Sequence, residues 1–207
     1  MPNNPILKGV FLAVVMAGLS AQAGDRLLFK NADIDTSSAQ STMSMLSQLS
    51  SQANAEAKTT HFVVQFKSKI SKANKQWLGQ RAEILRYIPN DAYLVQVESD
   101  QNLRALQAGP DVQVVIPFVG ALKIDSSFPP RSVFTQNQQI KMLVSVTRSQ
   151  LLGQVTSQFQ GAEVLWQDDK YLVIEGPLGN VEAYAAVDGV EWIQPYIEPQ
   201  TMVVPLD

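Results

Sequence analysis

The second half of this sequence repeats the pattern of the first half, and an internal repeat constrains a fold more than any single motif does. Two segments match at an offset of 80: 63–66 with 143–146, and 82–85 with 162–165. Later positions match at an offset of 78: 93–95 with 171–173, and the single positions 112, 117 and 118 with 190, 195 and 196. The two residues lost in the middle fall where we expect a hairpin turn, which tolerates deletions. We infer two homologous units, at 59–125 and 135–199, joined by a linker at 126–134.

Both units have the same predicted order of elements. We expect strands at 61–66, 82–88, 92–97 and 112–118, with helices at 71–79 and between Ser99 and Gly109; the second unit has strands at 140–146, 162–167, 171–175 and 190–196, with helices at 149–159 and 178–187. This order predicts an α+β fold of two tandem ferredoxin-like βαββαβ units, each a four-stranded antiparallel sheet with two helices on one face. The other face of each sheet is then open, either to bind a partner or to pack against the other unit.

The first 58 residues precede both units. Residues 1–23 have the layout of a secretory signal peptide: Lys8, an apolar run at 9–19, and Ala21-x-Ala23 before the expected cleavage after Ala23. The alternative, a membrane anchor, needs a run of roughly 20 apolar residues. We therefore expect a secreted or periplasmic protein with no membrane contact after signal removal. The Ser-rich leader at 24–58 is expected to be flexible, with at most one marginal helix, which could also serve as a docking helix.

Composition excludes several functions. The 207 residues contain no Cys and one His, His61, which rules out thiolate zinc sites and Cys nucleophiles and argues against His-based catalysis. A net charge of −3 and a pI of about 5.2 argue against a nucleic-acid partner. We interpret Asp168 and Asp169 as a hairpin turn, because the further oxygen ligands of a calcium loop are absent. No catalytic residue, no metal and no cofactor is expected.

Two patterns leave alternatives open. Trp77, Trp166 and Trp192 are expected in the core, with a partly exposed place at an edge or between the units as the alternative. The first unit carries a net charge of +2, and the segment 129–207 carries −5. We interpret the Lys-rich stretch at 67–75 as a solvated helix face. The alternative is that the opposite charges help the two units to pair or steer an oppositely charged partner.

Four segments of the first unit resemble a known family. They are His61–Phe66, Gly79 with Ala82–Leu85, Tyr87–Val95 (Tyr-Ile-Pro-Asn-Asp-Ala-Tyr-Leu-Val) and Val115–Phe118. Together they resemble the N-terminal pro-region of secreted subtilisin-like serine proteases, in a tandem form. The resemblance covers 59–199, and the hairpin at 87–95 is its most specific part. The second unit is placed mainly through the repeat, because Asp168-Asp169-Lys170 replaces the Pro-Asn turn there.

The resemblance implies a binding function without catalysis. In that family the pro-region is a folding chaperone and a tight inhibitor of its protease; its sheet lies on two helices of the enzyme, and its C-terminal tail lies in the substrate cleft. The three catalytic motifs of the protease are not found in this sequence. His61 is followed by Phe-Val-Val, and Ser41-Thr42-Met43 lacks the flanking Gly and Ala, so a Ser–His–Asp triad is not expected.

The C-terminal tail, 200–207, is the predicted contact with a protease cleft. Prolines near both ends favour an extended peptide, which can add as a strand beside a cleft; a disordered terminus is the alternative. The candidate residues are Pro199, Gln200, Thr201, Met202, Val203, Val204, Pro205, Leu206 and Asp207. We therefore expect a secreted, non-catalytic protein that binds a subtilisin-like serine protease as inhibitor, folding chaperone or both. The alternative is a secreted binding or structural module without protease affinity.

Overall fold

The computed structural model describes residues 24–38, 40–42, 44–45 and 59–198. The strands are β1 (Arg26–Leu28), β2 (Asp33–Asp35), β3 (His61–Phe66), β4 (Glu83–Ile88), β5 (Ala92–Gln96), β6 (Val112–Pro117), β7 (Gln139–Val146), β8 (Glu163–Asp168), β9 (Tyr171–Pro177) and β10 (Val190–Pro195). The α-helices are α1 (Lys72–Gly79), α2 (Asp100–Gln107), α3 (Leu152–Thr156) and α4 (Val181–Ala186), and the 3₁₀ turns are η1 (Gly120–Lys123), η2 (Ser149–Leu151) and η3 (Leu178–Asn180). Residues 40–42 and 44–45 are also helical.

The predicted fold class is wrong. The described residues form an α+β structure of ten strands in three sheets of two, four and four strands, with short helices, rather than two ferredoxin-like βαββαβ units. The leader supplies the additional sheet, because β1 and β2 pair as an antiparallel hairpin. In the second half, the helices expected at 149–159 and 178–187 are each divided into a 3₁₀ turn and an α-helix of five or six residues.

The two four-stranded sheets, called here the first and the second sheet, have matching strand orders. The first is β4-β5-β3-β6 and the second is β8-β9-β7-β10, with every neighbouring pair antiparallel. The pairs β4-β5 and β8-β9, at equivalent edges of the two sheets, also have a register shift at the same position. It lies between Ile84 and Arg86 in the first sheet and between Val164 and Trp166 in the second.

The registers correct one of the sequence matches. Val63 lies opposite Leu94, whereas its counterpart Leu143 lies opposite Val173, so β5 corresponds to β9 at an offset of 79 rather than 78. Because a slip of one residue moves every side chain of a strand to the other face, this correction decides which face Val173 belongs to. The hairpin loses one residue, and the second is lost later, between β9 and β10.

Three apolar clusters hold the described part of the chain together. In the first half, α1 and α2 bury Leu78 and Leu106 against one face of the first sheet. Ser71 caps α1 through a capping box with Asn74, and Ser99 caps α2, which sets where each helix begins. In the second half, α3 and α4 cover one face of the second sheet, whose core includes Met142, Val144, Phe159, Leu172, Ile174, Tyr184 and Ile193.

The leader hairpin covers the remaining face of the first sheet. Leu27 and Ile34 are fully buried against Val63, Leu94 and Ile116, while their strand neighbours on both sides are exposed. Gln65, itself fully buried, donates from Nε2 to the carbonyl oxygens of Gly24 (2.9 Å) and Asn90 (3.0 Å). The expectation of a flexible leader is therefore wrong for the residues around β1 and β2.

Candidate functional site

The second sheet has one face that no helix covers. In an antiparallel pair, side chains opposite each other lie on the same face, so the registers identify its members. They are Lys141, Leu143 and Ser145 of β7, Glu163, Trp166 and Asp168 of β8, Tyr171, Val173 and Glu175 of β9, and Trp192 and Gln194 of β10. We call this set the second-sheet face. Trp166 is 51% exposed and Tyr171 is 50% exposed, which is unusual for aromatic side chains on a sheet.

The corresponding face of the first sheet is the one that the leader hairpin closes. Val63 and Leu94 are fully buried there. Of their counterparts in the second sheet, Val173 is also buried and Leu143 is half-buried, so the second-sheet face is open around Trp166, Asp168 and Tyr171. The same surface is thus occupied by the chain's own hairpin in one half and presents two exposed aromatic rings in the other. This difference between two equivalent surfaces marks the second-sheet face as the candidate binding surface.

A cleft of about 480 Å³ lies between this face and the first half of the chain. Its walls combine aliphatic, aromatic and charged side chains: Leu28, Phe29, Lys30, Arg86, Tyr87, Ile88, Pro89, Leu122, Leu143, Ser145, Val146, Lys170, Tyr171, Glu191, Trp192 and Gln194. Arg86 and Glu191 form an ion pair across it, Nε to Oε1, at 3.0 Å. The Lys30 ammonium nitrogen lies 4.8 Å from the ring centroid of Trp192, within cation–π distance.

Buried polar groups join the two halves behind this cleft. His61, 1% exposed, begins β3 as expected; its Nδ1 lies 2.7 Å from Oδ1 of Asp188, and its Nε2 lies 3.1 Å from the hydroxyl of Thr147. The Thr60 hydroxyl donates to the other carboxylate oxygen of Asp188 at 2.7 Å. Burial favours the neutral acid, but the hydrogen bonds from His61 and Thr60 and the charge of His61 outweigh it, so the pKa of Asp188 lies well below its usual range. The hydroxyl of Thr147 lies where a nucleophile would, but Thr147 is 6% exposed and His61 is 1% exposed, so neither group is open to a substrate. We therefore assign a structural role to this junction.

The residues predicted to enter a protease cleft, Pro199–Asp207, lie outside the described residues. The structure does fix the point from which they leave. The backbone N–H of Tyr196 donates to the carbonyl of Lys141 at 2.9 Å, and Lys141 forms an ion pair with Glu198. Ile197 is 85% exposed. The tail therefore starts at the β10 edge of the second sheet, beside the second-sheet face.

The expected places of the tryptophans hold in part, and sequence reasoning missed the cleft. Trp77 is half-buried and packs against the core of the first half. Trp192 is half-buried between the two halves, which was the alternative, and Trp166 is 51% exposed. Trp192 lines the cleft with Lys30 and Arg86, which the sequence analysis did not single out. The alternation of Glu191, Trp192, Ile193 and Gln194 along β10 was the available signal, because period-two alternation places Trp192 and Gln194 on the face opposite Ile193.

The other residues weighed as possible ligands do not form a site in the described part of the chain. Asp169 has a positive φ of 44°, as a residue of a tight hairpin turn does, in line with the interpretation of Asp168 and Asp169. Among the described residues, no three metal-ligating side chains come together. No helix among them is long and apolar enough to cross a bilayer.

Part of the chain matches a protein-family model. A protein-family model described as a domain of unknown function (DUF8729) matches residues 28–119, from the end of β1 to just past β6. The matched region thus takes in β2 together with the whole first sheet. No curated protein and no solved structure matches the chain significantly.

Proposed function

We propose that this protein is a secreted, non-catalytic protein that binds a subtilisin-like serine protease, as inhibitor, folding chaperone or both. The second-sheet face supplies the contact area, and the tail at 199–207 enters the substrate cleft of the protease. The resemblance of 59–199 to the pro-regions of such proteases supplies the class of partner.

One observation carries the proposal. Two equivalent sheet faces differ in occupancy: the leader hairpin buries the first, whereas the second presents Trp166 and Tyr171, each about half exposed. Tryptophan and tyrosine are the residue types that contribute most to binding energy at protein interfaces. A face that a stable fold leaves open in only one of two related sheets is well suited to an external partner.

The origin of the tail supports the same geometry. Because it leaves from the β10 edge, a partner seated on the second-sheet face lies beside it. A folded domain that holds a peptide near its target raises the effective concentration of that peptide. Face and tail would therefore act on one partner at the same time.

Deleting the tail tests its part in the proposal. The inhibition constant of the chain from Gly24 onward is measured on a broad-specificity subtilisin-like protease and compared with that of the chain ending at Glu198. We expect inhibition to weaken by roughly 10- to 1,000-fold, equivalent to about 1.4–4 kcal/mol, with an unchanged far-UV circular dichroism spectrum. Equal inhibition by both chains would remove the tail from the mechanism.

Substitutions on the face test its part separately. Trp166→Ser should weaken inhibition by about 10- to 100-fold, because a half-exposed aromatic that becomes buried in an interface is a typical anchor. Phe134→Ser is the matched control, since Phe134 is 97% exposed but lies in the segment between the two sheets rather than on the face. A chain that neither inhibits such proteases nor speeds refolding of the isolated protease domain supports the alternative, a binding or structural module without protease affinity.

A further inference from the structure

We infer that the cleft beside the second-sheet face binds an extended, acidic peptide segment of a protein partner, in which an aliphatic side chain is flanked by carboxylates. This inference deepens the proposed function: it states the chemistry of the partner's surface at the same site and rests on that function for the partner's class.

The charge of the cleft is the first argument. Its walls carry three cationic side chains, Lys30, Arg86 and Lys170, against the single acid Glu191, which Arg86 already pairs at 3.0 Å. This positive lining occurs in a chain of net charge −3, and beside a segment, 129–207, of net charge −5. The cleft is thus positively charged beside a negatively charged part of the chain. A cleft lined by charges of one sign raises the local concentration of ligands that carry the opposite charge.

The apolar walls are the second argument. Leu28, Leu122 and Leu143 line the cleft together with the rings of Tyr87, Tyr171 and Trp192. Small inorganic anions would leave these walls in water, whereas a peptide can bury an aliphatic side chain on them and place carboxylates beside the lysines. The volume of about 480 Å³ lies within the roughly 300–1,000 Å³ of typical ligand sites.

The leader hairpin on the first sheet provides an internal example of such an occupant. It covers the equivalent face with the fully buried side chains of Leu27 and Ile34. Ile34 is flanked along β2 by Asp33 and Asp35, both exposed at the margin of the contact. Asp33 pairs with Arg26 and Asp35 accepts from the backbone N–H of Ser37, both within the leader. The hairpin is therefore a precedent for the aliphatic contact alone, and the lysines of the cleft are the reason to expect carboxylates beside it.

A synthetic peptide tests the inference directly. The probe is a 12-residue peptide of neutral polar residues with Asp-Ile-Asp at its centre, and the matched control carries Asn-Ile-Asn. Binding to the chain from Gly24 onward is followed by calorimetry and by tryptophan fluorescence. We expect the control peptide to bind at least 10-fold more weakly, and 300 mM salt to weaken the acidic peptide several-fold relative to 50 mM.

Charge reversal in the cleft provides the second readout. Lys30→Glu and Lys170→Glu should each weaken binding of the acidic peptide at least 5-fold, whereas Lys72→Glu, on the exposed surface of α1, should not. Equal binding of both peptides, absent binding of the acidic peptide, or insensitivity to both reversals overturns the inference.

The two proposals fail in different ways. A chain that inhibits a subtilisin-like protease, and does so equally well with Lys30→Glu and Lys170→Glu, overturns the acidic-segment inference and leaves the proposed function standing. A chain that binds the acidic peptide with the expected dependences but inhibits no such protease supports the cleft chemistry and overturns the proposed class of partner.

Discussion

Lys123 ends the 3₁₀ turn η1 with its side chain inside the protein rather than at the surface. It is 1% exposed, and its ammonium nitrogen lies 5.2 Å from the ring centroid of Phe118. Burial lowers the pKa of Lys123 from 10.5 to about 8, and the charge of Asp188 opposes this only in part. Near neutral pH the folded state therefore holds a buried charge that the unfolded state keeps in water.

Replacing this lysine should stabilise the protein in a pH-dependent way. The folded-state pKa of about 8 lies below the unfolded value of 10.5, so the unfolded state binds more protons between these values, and stability rises with pH there. The gap corresponds to roughly 3 kcal/mol. We expect Lys123→Met to raise the free energy of unfolding by up to about 3 kcal/mol at pH 7, and the gain to shrink as pH rises from 8 to 10.5. Urea unfolding of both chains at pH 7, 9 and 10.5 checks this; a gain that does not change with pH contradicts it.

Single residues were predictable from the sequence where their role is local. The pattern of the first strand predicted His61 as its first residue, and the second helix of the first half was expected to begin after Ser99, which caps it. The partner of His61 was not predictable, because Asp188 is 127 positions away and only the packing of the two halves brings the pair together. Lys123 was missed for a different reason: a lysine is almost never fully buried unless it is paired.

The leader hairpin shows why an element can escape a reading of the sequence. Its strands have three residues each, whereas alternation becomes informative over about four to eight residues. Asp33-Ile34-Asp35 contains a single apolar residue and reads as a polar stretch. An isolated two-stranded hairpin is marginal in water, so this one depends on burying Leu27 and Ile34 against the first sheet.

That dependence can be measured on two adjacent residues. Leu27 is fully buried and Leu28 is 44% exposed, although both belong to β1. We expect Leu27→Ala to lower the free energy of unfolding by about 2–4 kcal/mol, since it removes buried methyl groups and leaves a cavity. Leu28→Ala should change it by no more than about 0.5 kcal/mol. Urea midpoints of the two variants, with hydrogen exchange of β5 amides, give the comparison; equal effects would mean that the hairpin does not cover the sheet in solution.

The elements of the two four-stranded sheets were more predictable than their helices. All eight strands were expected within two residues of their observed bounds, because runs of Val, Ile, Leu and Tyr bounded by turn residues indicate buried strands. The lengths of the helices in the second half were not predictable, because apolar spacing alone does not distinguish a 3₁₀ turn from the first turn of an α-helix. The one-residue error in matching β5 to β9 came from identical letters, Tyr-Leu-Val, that occupy opposite faces of the two sheets.

At the scale of the whole molecule, polar contacts between the halves supplement their packing. Arg86 pairs with Glu191, and Arg148 pairs with Glu83; each ion pair joins the first half to the second. Only the first of them has the polarity expected from the net charges of the two halves, and the exposed lysines at 67–75 take part in neither. The relative placement of the halves could not be predicted, because it depends on the covered face of the first sheet and on the junction at Asp188, and both arise from contacts distant in sequence.

The junction at Asp188 should determine whether the two halves unfold together. Asp188→Asn removes the charge and replaces one of the two acceptor oxygens with an NH2 donor, so either His61 or the Thr60 hydroxyl loses its acceptor. We expect this variant to lower the free energy of unfolding by about 2–4 kcal/mol at pH 6. Because the folded-state pKa of Asp188 lies below its unfolded value of 3.8, its contribution is present above about pH 4 and is lost as pH falls further. The difference between the original chain and Asp188→Asn should therefore shrink between pH 4 and pH 2.

Asp169→Asn, in an exposed turn, is the control and should have little effect. Denaturation followed by both tryptophan fluorescence and circular dichroism should give coincident transitions for the original chain and separated ones for Asp188→Asn; coincident transitions in both, with a pH-independent difference, would show that apolar packing alone joins the halves.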